Sequence, residues 1–453
     1  MGKKRIFSVL FAFLIFASTI CNTYAEPQSE SQDNSLAPHA AAALLMDLKS
    51  GKILFEKNID DMMYPASTTK IMTAILVLEN DNLEDMVTAQ KEAIEPITMQ
   101  HSNMGILVGE EISVNELLYG MLVYSANDAA NVLAVHTSGS IEAFATLMNQ
   151  KAQELGCKNT NFVNPHGFHD PGHYTTAGDL AIISRYAMQN EKFREYVSTD
   201  MYVMQPTNKY HEIRYLSNTN YLVSNKRRAE YYYKKAIGIK TGYTDEAGSC
   251  LVSAAKDGDT EFLAVVMNCK NTTMELNGAY SFVDSRQLLE HGFNNYKYIT
   301  VVPTGDMIAD SSVYEAKDDV RVAITPSVDI SALLPKDMSF NDIKTETVLI
   351  EKISAPIEKG DVLGTIKCTY KGEEIGTAEV VALNSVEKDY VLATIHLFVK
   401  IITHPVFLIL VALFIYVRFR AAVRRKKKRM MRRKRLEHVS DNPDYYNSRR
   451  ERK

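Results

Sequence analysis

"YPASTTKIMTAILVLE", residues 64–79, is the stretch on which the fold turns. Ser67 stands just ahead of an apolar run with helical spacing, and Lys70 follows three positions later. Residues i and i+3 share a helix face, so the Lys70 amine can reach the Ser67 hydroxyl. A serine is a weak nucleophile at neutral pH and needs a base. A lysine serves as that base only when neutral, a state favoured by burial and by a second cation nearby. The plainer reading is a helix cap beside a solvated lysine. The SxxK spacing alone does not separate the two, because Ser385 and Lys388 repeat it.

Two further motifs decide between them. "SAN", Ser125 to Asn127, falls between two helical patterns, and "KTG", Lys240 to Gly242, falls inside a strand pattern and occurs once. Each residue type suits a step of acyl transfer. Ser125 can relay a proton between Lys70 and a leaving amine. Asn127 can hold a substrate amide and orient Lys70. Lys240 is the candidate second cation, and with Thr241 it suits a substrate carboxylate. Gly242 lets a substrate backbone approach the strand. Helix-start amides near Ser67 can supply oxyanion donors.

Around these motifs the pattern is mixed. "AAALLMDLKSGKILFEKN" reads as a hairpin. Helical patterns follow over 68–79, 114–123, 126–135, 141–155 and 177–188, the last with a cap at Thr176 and Asp179. "AIGIKTGYT" and "SCLVSAAKDGDTEFLAVVMNC" read as three successive strands, and "YSFVDSRQLLEHGFNNY" returns to helix. This predicts an α/β (α+β) catalytic domain over 38–296. Alternating apolar and polar residues with Gly, Pro and Asp turns then predict a small all-β domain over 300–388, a spacer or docking module without chemistry of its own.

The two ends point to two compartments. Residues 1–25 have a basic start, an apolar stretch and "TYA", the pattern of a signal peptide cleaved after Ala25. Residues 26–37 read as a polar linker. Near the other end, 395–417 read as a transmembrane helix; its apolar part from Ile401 alone spans roughly 26 Å. Residues 418–453 carry 16 Lys/Arg against 4 Asp/Glu, a net +12, whereas 26–417 carry −19. Basic residues directly after the span are expected to stay inside the cell and to meet anionic lipid, with the catalytic domain on the extracytoplasmic side. This asymmetry favours membrane lipid over nucleic acid as the tail's partner. A surface-lying amphipathic helix is the competing reading, favoured by His404 and Pro405.

Cys157, Cys250, Cys269 and Cys368 are too few and too scattered for a disulfide scaffold, although Cys250 and Cys269 lie on flanking strands and a bridge between them stays open. His166, His169 and His173 fall close together in "HGFHDPGH", but the Gly and Pro residues there predict a rigid loop beside the cleft. The expectation is no metal and no cofactor.

SxxK, SxN and KTG in this order form a set shared by β-lactamases and penicillin-binding proteins. "YPASTTKIMTAILVLE", "SANDAA", "NPHGFHDPGHYTTAGDLA" and "GIKTGYTDEAG" closely resemble the low-molecular-mass penicillin-binding proteins of the serine D-alanyl-D-alanine carboxypeptidase family. The resemblance covers about 36–296, and 300–388 looks like that family's C-terminal domain. It implies that Ser67 forms the acyl-enzyme, Lys70 accepts the proton and Ser125 is the third active-site residue. Lys240 would bind the substrate's terminal carboxylate, and the backbone amides of Ser67 and Tyr243 would form the oxyanion hole. Peptidoglycan stem peptides are then the substrate and β-lactam antibiotics the inhibitors. Two alternatives are a class A β-lactamase and a non-catalytic wall-binding protein. The first would carry an ExxLN loop, which this chain lacks between Asn127 and Lys240, and the second would be expected to carry a broken triad, whereas this one is intact.

Overall fold

The computed structural model describes residues 35–97, 102–226, 228–270 and 279–440. The signal peptide expected over 1–25 and the end of the tail lie outside them. The chain divides into two compact units that part after Tyr298, with Leu333–Asp337 belonging to the first.

The first unit is built on a five-stranded antiparallel sheet. Its strands are β1 (Ala42–Asp47), β2 (Ile53–Lys57), β7 (Ala236–Thr244), β8 (Gly248–Asp257) and β9 (Thr260–Cys269). Two short hairpins supply β3 (Met86–Thr88) with β4 (Glu111–Ser113), and β5 (Met201–Met204) with β6 (Arg214–Ser217). The sheet order is β2-β1-β9-β8-β7, so β7 is an edge. Every residue of β1 is buried. Successive strand residues face opposite sides, and two cores result. Leu44, Met46, Val252, Leu263, Val265 and Met267 face one, while Leu45, Leu251, Phe262, Ala264 and Val266 face the other.

Helices cover both faces. They are α1 (Lys70–Asn80), α2 (Val114–Val123), α3 (Asn127–Ser138), α4 (Ile141–Glu154), α5 (Ala177–Ala187), α6 (Glu191–Ser198) and α7 (Ala279–Asn295). Helix α7 packs Phe282, Leu288, Leu289 and Phe293 into the second core, and α1 to α6 build the first. Lys70 to Val77 of α1 are all buried, as suits a helix enclosed on every side. Thr176 caps α5 by accepting from the Asp179 N–H. The sequence reading places a helix from Thr68. The chain instead makes a 3₁₀ turn over Ala66–Thr69 before α1 begins at Lys70.

The second unit holds a five-stranded antiparallel sheet. Ala309–Ser312, Arg321–Pro326, Glu373–Ala382, Val362–Tyr370 and Ile343–Leu349 lie side by side in that order. Val322, Ile324, Ile366, Cys368, Val380 and Ala382 form its core at alternate positions, which is the alternation seen in the sequence.

Two helices follow, α8 (Tyr390–Thr403) and α9 (Pro405–Ser440). The single span expected over 395–417 is therefore interrupted. Pro405 disfavours helical geometry in the residue before it, and His404 is extended with ψ 129°. Among the described residues one helix is long and apolar enough to cross a membrane, Pro405–Leu436, with a mean hydropathy of 2.3 in its most apolar stretch. Helical structure runs on into the basic tail as far as Ser440.

Candidate active site

The 3₁₀ turn presents Ser67 at the head of α1. Ala66, just before it, is left-handed at φ 48°. A non-glycine residue holds that conformation only where its surroundings impose it, and the loop 163–175 does so. Gly167 lies so close that a Cβ there would stand 1.8 Å from the Ala66 carbonyl oxygen. Thr73 donates to Pro165 O at 2.6 Å, and His173 Nε2 meets Thr69 Oγ1 at 2.8 Å. His173 Nδ1 accepts from the Val163 N–H at 3.1 Å, which leaves Nε2 as the donor. Burial lowers His173 to about 4, so the ring is neutral and serves as a brace.

The Lys70 amine makes three contacts: 2.8 Å to Ser67 Oγ, 2.6 Å to Asn127 Oδ1 and 2.7 Å to the His166 carbonyl. Its pKa falls well below the usual lysine value, first through burial and then through Lys240, with Asp128 opposing. A neutral amine has two N–H bonds and one lone pair. In that form, donation to Asn127 and His166 would leave the lone pair for the Ser67 hydroxyl, the geometry a base needs beside a nucleophile.

Ser125 ends the turn between α2 and α3 and is also left-handed, at φ 66°. Its hydroxyl accepts from Lys240 Nζ at 2.9 Å, and the same amine donates to Thr241 O at 3.0 Å. Lys240 is 1% exposed, and burial lowers it to about 7. Two lysines and two serines thus flank one cleft, as the three motifs require.

β7 runs against the nucleophile turn. A Cβ on Gly242 would stand 2.9 Å from Pro65 O and 3.0 Å from Ser67 N, so only glycine permits this approach. Thr241 Oγ1 meets Thr219 Oγ1 at 2.7 Å. Ser67, Ser125, Thr219, Thr241, Gly242 and Tyr243 all line one cavity of about 350 Å³.

Three contributors carry no motif. Thr219 is one. The His166 carbonyl is another, in a loop the sequence placed beside the cleft without assigning it a contact. Asp128 is the third. It is 2% exposed, and its carboxylate accepts from the backbone N–H groups of Met104, Ile106 and Ala129 at 3.0–3.1 Å. This ties the wall carrying Ser102 to the start of α3, where Ser102 O also accepts from Asn127 N–H at 2.8 Å. Burial raises the Asp128 pKa, against those backbone donors. The same wall is clamped by a buried ion pair: Arg214 grips Glu110 at 2.7 and 3.0 Å and donates to Gly105 O at 3.0 Å.

The remaining candidates do other work. His166 Nδ1 accepts from the Phe168 N–H, and His169 sits edge-on to Tyr64. No group of three or more His, Cys, Asp or Glu suited to a metal occurs among the described residues. Cys157, Cys250, Cys269 and Cys368 are free thiols. A bulge between β8 and β9 sets Cys269 opposite Ser249, and Cys250 Sγ lies 3.7 Å from the carbonyls of Tyr64 and Ala247.

Comparison with known proteins agrees with this geometry. Residues 27–271 match the D-alanyl-D-alanine carboxypeptidase family. The chain belongs to that family. Residues 296–388 match the C-terminal domain of penicillin-binding protein 5. The chain is 33% identical over 391 residues to D-alanyl-D-alanine carboxypeptidase DacF of Bacillus subtilis, covering 85% of this chain and 95% of that one. It is 31% identical over 367 residues to DacC of Escherichia coli, covering 77% and 84%. Among solved structures, penicillin binding protein 5 from Haemophilus influenzae has a TM-score of 0.59 at 31% identity, covering 77% of this chain and 98% of that one. The Streptomyces K15 DD-transpeptidase has a TM-score of 0.51 at 32% identity, covering 56% and 97%. Family membership displaces the class A β-lactamase and wall-binding alternatives.

Proposed function

We propose that this protein is a serine D-alanyl-D-alanine carboxypeptidase that removes the terminal D-alanine from peptidoglycan pentapeptide stems. The observation that carries this reading is the 2.8 Å contact between Ser67 and a fully buried Lys70 whose pKa is lowered. Ser67 attacks the carbonyl of the penultimate D-alanine, and its proton passes to Lys70. The oxyanion is held by the backbone N–H groups of Ser67 and Tyr243, a role supported by the close seating of β7 on the nucleophile turn. The intermediate collapses as a proton reaches the leaving amine through Ser125. Asn127 holds both Lys70 and the substrate amide. Lys240 and Thr241 receive the terminal carboxylate, with Gly242 allowing the peptide to lie along the strand. Water then releases the acyl group. A β-lactam acylates Ser67 by the same first step.

The proposed organisation is a signal peptide over 1–25, a linker over 26–37, the catalytic domain over 38–296 and the β domain over 300–388. We place the membrane crossing in the apolar part of α9, the catalytic domain outside and the basic tail inside. Support for this comes from the apolar run after Pro405 and the basic residues from Arg418.

The test is incubation of the protein with pentapeptide stems and, separately, with penicillin. Mass spectrometry should find tetrapeptide plus D-alanine, and a single penicillin adduct on Ser67. An adduct on another residue, or intact pentapeptide, refutes the reading.

A further inference from the structure

A second cavity, of about 500 Å³, adjoins the one that holds Ser67. Met62, Met63 and Tyr64 form one wall, Tyr174 of loop 163–175 another, and Glu246 with Ala247 a third. The fold ties these walls together. Met63 exchanges backbone hydrogen bonds with Thr175 at 2.7 and 2.9 Å, and the Ala247 N–H donates to Thr244 Oγ1 at 3.0 Å. Cys250 separates the two cavities. It lines the first, and its thiol lies 3.7 Å from the carbonyl oxygens of Tyr64 and Ala247, which line the second. Glu246 is exposed and is the single charged residue among the described lining residues. Its neighbour Asp245 is held instead by the Tyr243 hydroxyl, which donates to it at 3.0 Å.

We infer that this cavity is the subsite for the residue preceding D-Ala-D-Ala, and that it takes an unbranched alkyl side chain ending in a primary ammonium. The inference rests on the proposed function and deepens it. The course of β7 gives the side. Lys240 and Thr241 take the terminal carboxylate, and the Tyr243 N–H holds the scissile carbonyl oxygen. The substrate therefore runs from its leaving end to its acyl end in the direction Thr241 to Tyr243. Continued at about 3.3 Å per residue, that line reaches the end of β7 at Thr244 and then the turn that carries Glu246. The other two walls agree independently. Residues 62–64 lead into the nucleophile turn, whose Pro65 O stands against Gly242, and loop 163–175 braces that turn through Thr69 and Thr73. The lining suits the chemistry. Methionine side chains adapt to a chain of methylenes. Tyrosine faces accept both an alkyl stem and a cation, and Glu246 supplies the opposite charge. A lysine-type side chain has this form, a flexible stem with a compact charge at its tip. An amine already acylated in a cross-link has lost that charge, so the subsite favours stems not yet joined to a neighbour.

The test uses the full chain in detergent and four N-acetylated tripeptides ending in D-Ala-D-Ala. Their first residue is L-lysine, Nε-acetyl-L-lysine, L-norleucine or glycine. Release of D-alanine is followed by mass spectrometry. The lysine peptide should have a kcat/KM about three- to tenfold above those of the norleucine and acetyl-lysine peptides, the size of one solvent-screened ion pair with a cation–π contact. Norleucine should in turn exceed glycine, because its stem covers the same apolar wall. In Glu246→Gln the ratio of the lysine to the norleucine value should fall to about one, and in Glu246→Lys it should fall further. Lysine and norleucine peptides cleaved equally, norleucine cleaved no better than glycine, or a lysine preference that survives both variants overturns the subsite. The two readings fail separately. If the peptides are cleaved without this preference, only the subsite is wrong. If none is cleaved and penicillin does not acylate Ser67, the proposed function is wrong.

Discussion

The Lys240 amine donates to the Ser125 hydroxyl at 2.9 Å, while Lys70 holds Ser67 at 2.8 Å. Each lysine thus serves one serine, and the two amines influence each other through space. Below the Lys70 pKa the base is protonated and acylation stops. A positive Lys240 disfavours that protonated form, so Lys240→Ala should raise the Lys70 pKa and move the acid limb of the acylation profile to higher pH. The move is partial, because burial is the larger cause of the Lys70 shift. Loss of the charged carboxylate contact should also lower kcat/KM on the order of tenfold to a hundredfold. Lys240→Arg should keep the pH profile better than the rate. An unchanged acid limb in Lys240→Ala would remove the electrostatic role.

Asp128 acts on Lys70 with the opposite sign. Asp128→Asn removes a negative charge, so the Lys70 pKa should fall and the acid limb should move to lower pH. The same change turns an amide N–H₂ towards the N–H groups of Met104 or Ile106. One buried donor left unmatched costs about 1–3 kcal/mol, so calorimetry should record a Tm lower by several degrees. Asp128→Asn with wild-type Tm and wild-type profile would show that the carboxylate is dispensable.

Gly242→Ala places a methyl 2.9 Å from one backbone atom and 3.0 Å from another. Neither belongs to a flexible side-chain end, so β7 and the nucleophile turn must part. A misplacement of about 1 Å at a reacting centre costs on the order of a hundredfold. Stopped-flow acylation by a reporter penicillin should fall by at least that much while circular dichroism stays native. A near-native rate would mean the cleft has slack.

Removal of residues 405–453 should move activity from the membrane fraction towards the soluble fraction, because the apolar part of α9 is gone. Helix α8 remains, with Tyr390, Val391 and Phe398 each at least 65% exposed, and should leave residual, salt-insensitive membrane binding. Protease added to intact, wall-stripped cells checks orientation: a C-terminal tag on the full chain should survive, and its cleavage would put the tail outside.

Much of this was legible in the sequence, for reasons that differ along the chain. β1, β8 and β9 show as nearly continuous apolar runs because both sheet faces are covered by separate cores. SxxK, SxN and KTG could be read because each packs its chemistry within three or four residues. Asp128 and Thr219 could not, since their roles depend on partners 22 residues away or more. The start of α1 was misjudged because the turn at Ser67 packs against a distant loop, an approach that Gly167 permits and that helical spacing does not record. The break at His404 was a matter of weighting: apolar character favoured one span, and the local effect of Pro405 prevailed.

The contacts that assemble the cleft join residues 57, 96 and 115 positions apart. Closing loops of that length is slow, and contacts across them form only once most of the chain is in place. A half-folded chain therefore has no nucleophile: Ser67 lacks its base, and Lys70 remains hydrated and protonated. On the proposed mechanism, capture of a penicillin should count finished molecules and follow refolding without any spectroscopic probe. The same dependence keeps the enzyme silent until folding is complete, so unfinished copies cannot trim the wall.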